Sequence, residues 1–94
     1  MAARLTDAEI AQHLKGLQGW ERAGNAIRKS FGFGAFADGI RFVDRVAVAA
    51  DTLDHHPDVD IRYTTITMTL STHSAGGLTA KDFALAARIE QAAR

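Results

Sequence analysis

The chain has 94 residues, which supply one hydrophobic core, so we expect a single domain over residues 1–94. Its eleven basic and eleven acidic residues cancel and form no basic block, so no direct nucleic-acid or membrane surface is expected. The sequence has no cysteine, which excludes disulfides, thiolate catalysis and cysteine metal sites. It also has no apolar signal or membrane-spanning run, and we therefore expect a soluble, cytoplasmic protein.

The first predicted elements are a helix and a hairpin. Thr6 and Glu9 have the spacing of a capping box, so a helix begins there, and Gly16 marks its end. Short strands are predicted over 20–23 and 26–33, joined by a Gly-Asn turn.

Residues 35–53 predict a second helix with a wide apolar face. One stripe at helical spacing consists of Phe36, Ile40, Val43, Ala47 and Ala50. A second stripe beside it consists of Phe42, Val46, Ala49 and Leu53. A helix this apolar should contact more than its own sheet, so we interpret the second stripe as a subunit contact.

The stretch 59–72 is rich in residues that favour strands, but its apolar side chains change phase halfway along. Because side chains alternate strictly along a strand, this change requires a bend, a bulge or a tight strand break near Thr64–Thr65. No Gly, Pro or Asn stands there, so the three alternatives stay open. A last helix follows from its N-cap Thr79, with Asp82 as the capping-box acid.

The resulting order of elements is α-β-β-α-β-β-α. Strands joined by hairpins are antiparallel, and the helices between the pairs must cover one face of their sheet. The sequence therefore predicts an α+β two-layer sandwich, an antiparallel four-stranded sheet with three helices on one face.

Three of the four histidines lie close together in the sequence, at His55, His56 and His73. Imidazole is the side chain whose unperturbed pKa suits proton transfer near neutral pH. Pro57 holds His56 in an extended conformation, and adjacent extended residues point in opposite directions, so the two neighbouring imidazoles should have different roles. The cluster favours acid–base chemistry.

Two alternatives about this cluster stay open: whether Asp82 also contacts a histidine, and whether the cluster binds a metal ion. Asp82 is first a helix cap, and it could in addition orient an imidazole through the ring N–H. Three imidazoles and a carboxylate could also hold zinc or iron, but adjacent histidines rarely converge on one ion. Metal binding is therefore the weaker hypothesis.

The cluster belongs to a longer pattern that resembles a known family. The run Asp51-Thr52-Leu53-Asp54-His55-His56-Pro57, followed at fixed spacing by Tyr63, His73 and Asp82, is similar to the signature of pterin-4a-carbinolamine dehydratases. The segment 71–79, Ser-Thr-His-Ser-Ala-Gly-Gly-Leu-Thr, resembles their second motif. The resemblance covers essentially the whole chain.

This resemblance implies an enzyme that dehydrates 4a-hydroxytetrahydrobiopterin to quinonoid dihydropterin and so recycles the pterin cofactor of aromatic amino acid hydroxylases. It implies no cofactor, no metal, and a homodimer or homotetramer. His55 and His73 would transfer protons, His56 would complete the catalytic set by binding and orienting the pterin, and Asp82 would support them. The implied substrate-binding residues are Asp54, His55, His56, Pro57, Ser71, Thr72, His73 and Ser74.

The alternative function is a non-catalytic binding, assembly or dimerisation factor of the same fold. In a chain that had lost catalysis we would expect one or more of the three histidines to be replaced, and all three are present. The sequence therefore favours the enzyme.

Overall fold

The computed structural model describes residues 3–94, and its helices and strands follow the predicted order. Helices α1, α2 and α3 span Asp7–Leu14, Phe36–Leu53 and Ala80–Ala92. Strands β1, β2, β3 and β4 span Glu21–Ala23, Ala26–Gly32, Asp58–Arg62 and Thr65–Leu70. The strands form one antiparallel sheet in the order β1-β2-β4-β3, which confirms the predicted α+β fold. None of the helices within residues 3–94 is long and apolar enough to cross a membrane.

The two faces of the sheet differ as its alternating sequence requires. Ile27 pairs with Leu70 and Phe31 with Ile66, and all four side chains are buried beneath the helices. On the opposite face the hydroxyl groups of Ser30 and Thr67 lie 2.7 Å apart and are exposed. The core therefore lies between the sheet and the helices.

The phase change in residues 59–72 is a tight strand break. β3 and β4 pair directly at Arg62 and Thr65, so Tyr63 and Thr64 alone form the turn. Tyr63 has a φ of 50°, in the left-handed region where a bulky residue is an outlier. Across the turn the apolar side chains change from odd-numbered to even-numbered residues. In both strands they lie on the helix side of the sheet.

The second apolar stripe of α2 is part of the protein's own core, so its interpretation as a subunit contact was wrong. Phe42 and Val46 are buried, and Ala49 and Leu53 pack against the same cluster. Helix α2 crosses the sheet with this side facing inwards. The exposed large apolar side chains of α2 are instead Phe36 and Val48.

Candidate active site

The end of α2 positions the two adjacent histidines. Asp54 caps the helix in a left-handed conformation with a φ of 50°, and its N–H still bonds to Ala50 and Asp51. A left-handed residue at this point turns the chain out of the helix. The imidazoles then have different partners, as expected: Nε2 of His55 lies 2.7 Å from Asp82 and Nε2 of His56 lies 2.9 Å from Asp51.

Asp82 is a completely buried carboxylate at the start of α3. Its Oδ1 contacts Nε2 of His55, whose side chain is only 12% exposed. Its Oδ2 accepts from the hydroxyl of Thr72 at 2.8 Å and from the backbone N–H of Thr79 at 2.9 Å. A buried charge is tolerated when it is paired and hydrogen-bonded, and three donors meet that requirement here.

These contacts fix the proton arrangement of His55. An ionised carboxylate only accepts hydrogen bonds, so Nε2 of His55 must carry a hydrogen and donate it to Asp82. Nδ1 is then the ring nitrogen that can exchange a proton with a ligand. The aspartate of a catalytic triad holds its imidazole in one tautomer in the same way. Asp82 therefore caps α3 and orients an imidazole at once.

His73 enters the site through the loop that follows β4. It begins a single 3₁₀ turn, His73–Ala75, and the flanking residues Thr72 and Gly77 are joined by two backbone hydrogen bonds. His73 and Ser74 are exposed on this turn. Because Thr72 contacts Asp82, the backbone of His73 lies one residue away from the hydrogen-bonded cluster that holds His55.

The structure joins some of the expected site residues directly and separates others. His55, Thr72 and Asp82 form one hydrogen-bonded cluster. His56 is exposed and pairs with an exposed aspartate, and the hydroxyl of Ser71 donates to the carbonyl of Asn25 at 2.8 Å. Asp54 is exposed at the helix end, and Pro57 is partly buried.

Sequence reasoning recognised Thr79 as a helix cap but missed it as a member of this cluster. Its hydroxyl lies 2.8 Å from that of Thr72, and both residues are buried. The helix-capping pattern was the only signal at this position, because the contact with Thr72 depends on how the loop folds back.

One of the histidines, His56, borders an apolar cleft. A cleft of about 200 Å³ lies beside His56. It is lined by Val43, Val46, Ala47, Ala50, Asp51, His56, Pro57 and Val59. Over residues 3–94, no three His, Asp or Glu side chains converge closely enough to hold a metal ion.

A carboxylate that orients one imidazole, with a second imidazole on the adjoining loop, defines a site suited to proton transfer. The chain belongs to the pterin 4 alpha carbinolamine dehydratase family, whose model matches residues 3–92.

Relatives of similar length support this assignment. A protein of Roseiflexus castenholzii named "Putative pterin-4-alpha-carbinolamine dehydratase" is 55% identical over 91 residues, covering 97% of this chain and 98% of its own. A protein of the same name from Mycobacteroides abscessus is 53% identical over 88 residues, which is 94% of each chain.

Two solved structures share the fold. A transcriptional coactivator/pterin dehydratase from Brucella melitensis superposes with a TM-score of 0.93 at 35% identity, covering 97% of this chain and 99% of that one. A pterin dehydratase-like protein described as a RuBisCO assembly factor in the alpha-carboxysome superposes with a TM-score of 0.69 at 26% identity. That match covers 81% of this chain and 90% of the other.

Proposed function

We propose that the protein dehydrates 4a-hydroxytetrahydrobiopterin, or a closely related pterin-4a-carbinolamine, to the quinonoid dihydropterin. Such a reaction would recycle the tetrahydropterin used by aromatic amino acid hydroxylases. The observation that carries the proposal is the pairing of His55 with the buried carboxylate of Asp82 at 2.7 Å in a chain of this family.

The reaction requires two proton transfers and no redox change. The bond from C4a to its hydroxyl oxygen breaks, and that oxygen takes a proton and leaves as water. The proton on ring N5 passes to a base, and its electron pair forms the C4a=N5 double bond. One acid and one base therefore suffice, and each transfer accelerates such a reaction by about 10²–10⁴-fold.

His55 and His73 are the proposed acid–base pair. Nδ1 of His55 would exchange a proton with the pterin while Nε2 stays bonded to Asp82. His56 would bind and orient the ring system, and its neighbour Pro57 would line the pocket. The side chains of His73 and Ser74 are exposed and therefore accessible to a ligand.

Turnover of carbinolamine generated by a hydroxylase tests the proposal. We expect His55→Ala and His73→Ala each to reduce the catalysed rate by about 10²–10⁴-fold, since each removes one proton transfer. His13→Ala is the control, because His13 lies on α1 and stacks on Phe83. Wild-type protein that leaves the spontaneous decay of the carbinolamine unchanged would rule out the enzyme.

A second candidate function is an assembly factor without catalysis, because one structural relative is described in that role. This candidate predicts a stoichiometric protein partner together with negligible turnover. It also predicts that the double variant His55→Ala, His73→Ala still binds that partner. Normal turnover by the wild type, or loss of partner binding in the double variant, would contradict it.

We also propose that the protein forms a homodimer or homotetramer. β3 is an edge strand whose side chains are all exposed, including Val59 at 40% and Ile61 at 43%. Exposed apolar side chains on an unpaired edge are typical of an interaction surface. Light scattering at micromolar concentration should give a multiple of 10.1 kDa, and Ile61→Asp should lower it. A monomeric wild type would contradict the proposal.

A further inference from the structure

We propose that Thr72 is a positioning residue that acts on His55 through Asp82, and that its hydroxyl is not a substrate ligand. This inference rests on the proposed function and revises one of the residues expected to bind the pterin. It also assigns Thr79 as the residue that fixes the hydroxyl of Thr72.

The hydrogen bonds around Thr72 can be arranged in only one direction. Its hydroxyl has one hydrogen, and it lies 2.8 Å from Oδ2 of Asp82 and 2.8 Å from the hydroxyl of Thr79. Because the carboxylate can only accept, that hydrogen goes to Asp82. The hydroxyl of Thr79 must then donate to Thr72, and it accepts in turn from the N–H of Lys81 at 3.2 Å.

The result is a one-way chain of donors that ends on the partner of His55. Thr79 donates to Thr72, Thr72 donates to Oδ2 of Asp82, and Oδ1 of the same carboxylate receives Nε2–H of His55. With Oδ2 fixed in place by Thr72 and by the Thr79 N–H, Oδ1 has one orientation. That orientation places Oδ1 against Nε2 of His55, where a carboxylate that only accepts keeps the ring hydrogen.

Burial separates Thr72 from any ligand. Thr72 is 5% exposed and Thr79 is fully buried, whereas the neighbouring His73 and Ser74 are exposed. A hydroxyl that donates to a buried carboxylate and accepts from a buried threonine has no hydrogen left for a pterin.

Thr72 also sets the position of the second imidazole. Its N–H donates to the carbonyl of Gly77 at 3.0 Å, and its own carbonyl accepts from Gly77 at 3.3 Å. These bonds close the loop that carries His73. One residue therefore holds the base of that loop by its backbone and the partner of His55 by its side chain.

Three substitutions of Thr72 with different hydrogen-bonding groups provide the test, and Thr72→Val also keeps its size. Thr72→Val removes the donor, Thr72→Cys keeps a weak donor, and Thr72→Ser keeps a hydroxyl. We expect Thr72→Val to lower kcat by about 10–100-fold with KM changed less than about threefold, as is typical for residues supporting a reactive group. Thr72→Ser should restore kcat to within about threefold of wild type, and Thr72→Cys should lie between.

Nitrogen NMR of the His55 ring provides a readout that does not depend on turnover. All of these proteins should keep the His55 hydrogen on Nε2, because Asp82 stays a carboxylate. Thr72→Ser should leave the Nε2 resonance as in wild type, whereas Thr72→Val should shift it, because Oδ1 is less firmly placed against Nε2–H. Thr69→Val, on the outer face of the sheet, is the matched control and should change neither the Nε2 resonance nor kcat.

Two results would overturn the inference. The first is a Thr72→Val variant with raised KM and normal kcat, which would make Thr72 a substrate ligand. The second is a His55 Nε2 resonance in Thr72→Val that is unchanged from wild type. An inactive wild type would instead refute the proposed function, and the NMR comparison would still decide the role of Thr72. If Thr72→Val does not fold, the comparison of Thr72→Cys with Thr72→Ser replaces it.

Discussion

Replacing Asp82 by asparagine should invert the tautomer of His55 without removing the side chain. Oδ2 of Asp82 accepts from the backbone N–H of Thr79, a group that can only donate. The amide oxygen of asparagine must therefore take the Oδ2 position, and the amide NH₂ must face His55. Nε2 of His55 then has to accept, so the ring hydrogen moves to Nδ1.

The expected loss is large because both possible roles of His55 depend on the carboxylate. If His55 acts as the base, the variant has its ring hydrogen on Nδ1, the nitrogen that should accept the proton from the pterin. If His55 acts as the acid, its protonated ring loses the negatively charged carboxylate of Asp82. We expect kcat to fall by about 10²–10⁴-fold, the range for loss of a proton transfer or of the orienting aspartate in a triad. The weaker bonds from Thr72 and Thr79 should cost about 1–3 kcal/mol of stability, or roughly 4–8 °C in Tm per kcal/mol.

The assay combines turnover of the carbinolamine, thermal unfolding and nitrogen NMR of His55. Asp38→Asn is the matched control, because Asp38 pairs with exposed Arg41 in the first turn of α2. It should change kcat and Tm little, as exposed ion pairs contribute about 0–1 kcal/mol. A folded Asp82→Asn protein with wild-type kcat, or with the hydrogen of His55 still on Nε2, would refute the assigned hydrogen-bond pattern.

Three further predictions concern stability. Phe42→Ala should lower the free energy of unfolding by about 3–5 kcal/mol in urea, because Phe42 is completely buried, whereas Val48→Ala on the exposed side of α2 should change it little. Glu90→Ala should cost about 1–3 kcal/mol in the same assay, because it leaves the indole N–H of Trp20, now at 2.8 Å from Glu90, without its partner. The backbone N–H of Thr6, and to a smaller extent its hydroxyl, hold the pKa of Glu9 below its ordinary value. The Glu9 carboxylate therefore stabilises the fold at neutral pH, and this contribution is lost as the pH falls through that lowered pKa. Glu9→Gln should accordingly lower Tm at pH 7 and have less effect at pH 3. A Glu9→Gln effect on Tm that is equally large at pH 7 and pH 3 would contradict the lowered pKa of Glu9.

The parts of the fold that depend on neighbours in the sequence were predictable. Both capping boxes, at Thr6 with Glu9 and at Thr79 with Asp82, are present as expected, because each involves residues three apart. The alternation of β2 and β4 likewise gave their buried faces. The orientation of α2 was not predictable from its two stripes, since only the docked sheet decides which stripe is covered.

The turn at Tyr63 shows a second limit. Its backbone conformation is one that glycine or asparagine usually adopts, so the sequence carried the phase change but no turn signal. In the site, the histidine spacing and the resemblance to a known family indicated the residues. The direction of the hydrogen bonds through Thr79 and Thr72 required coordinates, because Thr72 contacts Thr79 and Asp82 only when the intervening loop folds back.

The buried charge at the start of α3 also bears on how this helix finds its place. If α3 docked one turn out of register, Asp82 would enter the apolar layer without His55 or Thr72, and an unpaired buried charge costs several kcal/mol. The native arrangement alone offers it three donors. The acid group that orients the imidazole thus also penalises misalignment during folding, because the correct placement of the last helix and the contact between His55 and Asp82 form together.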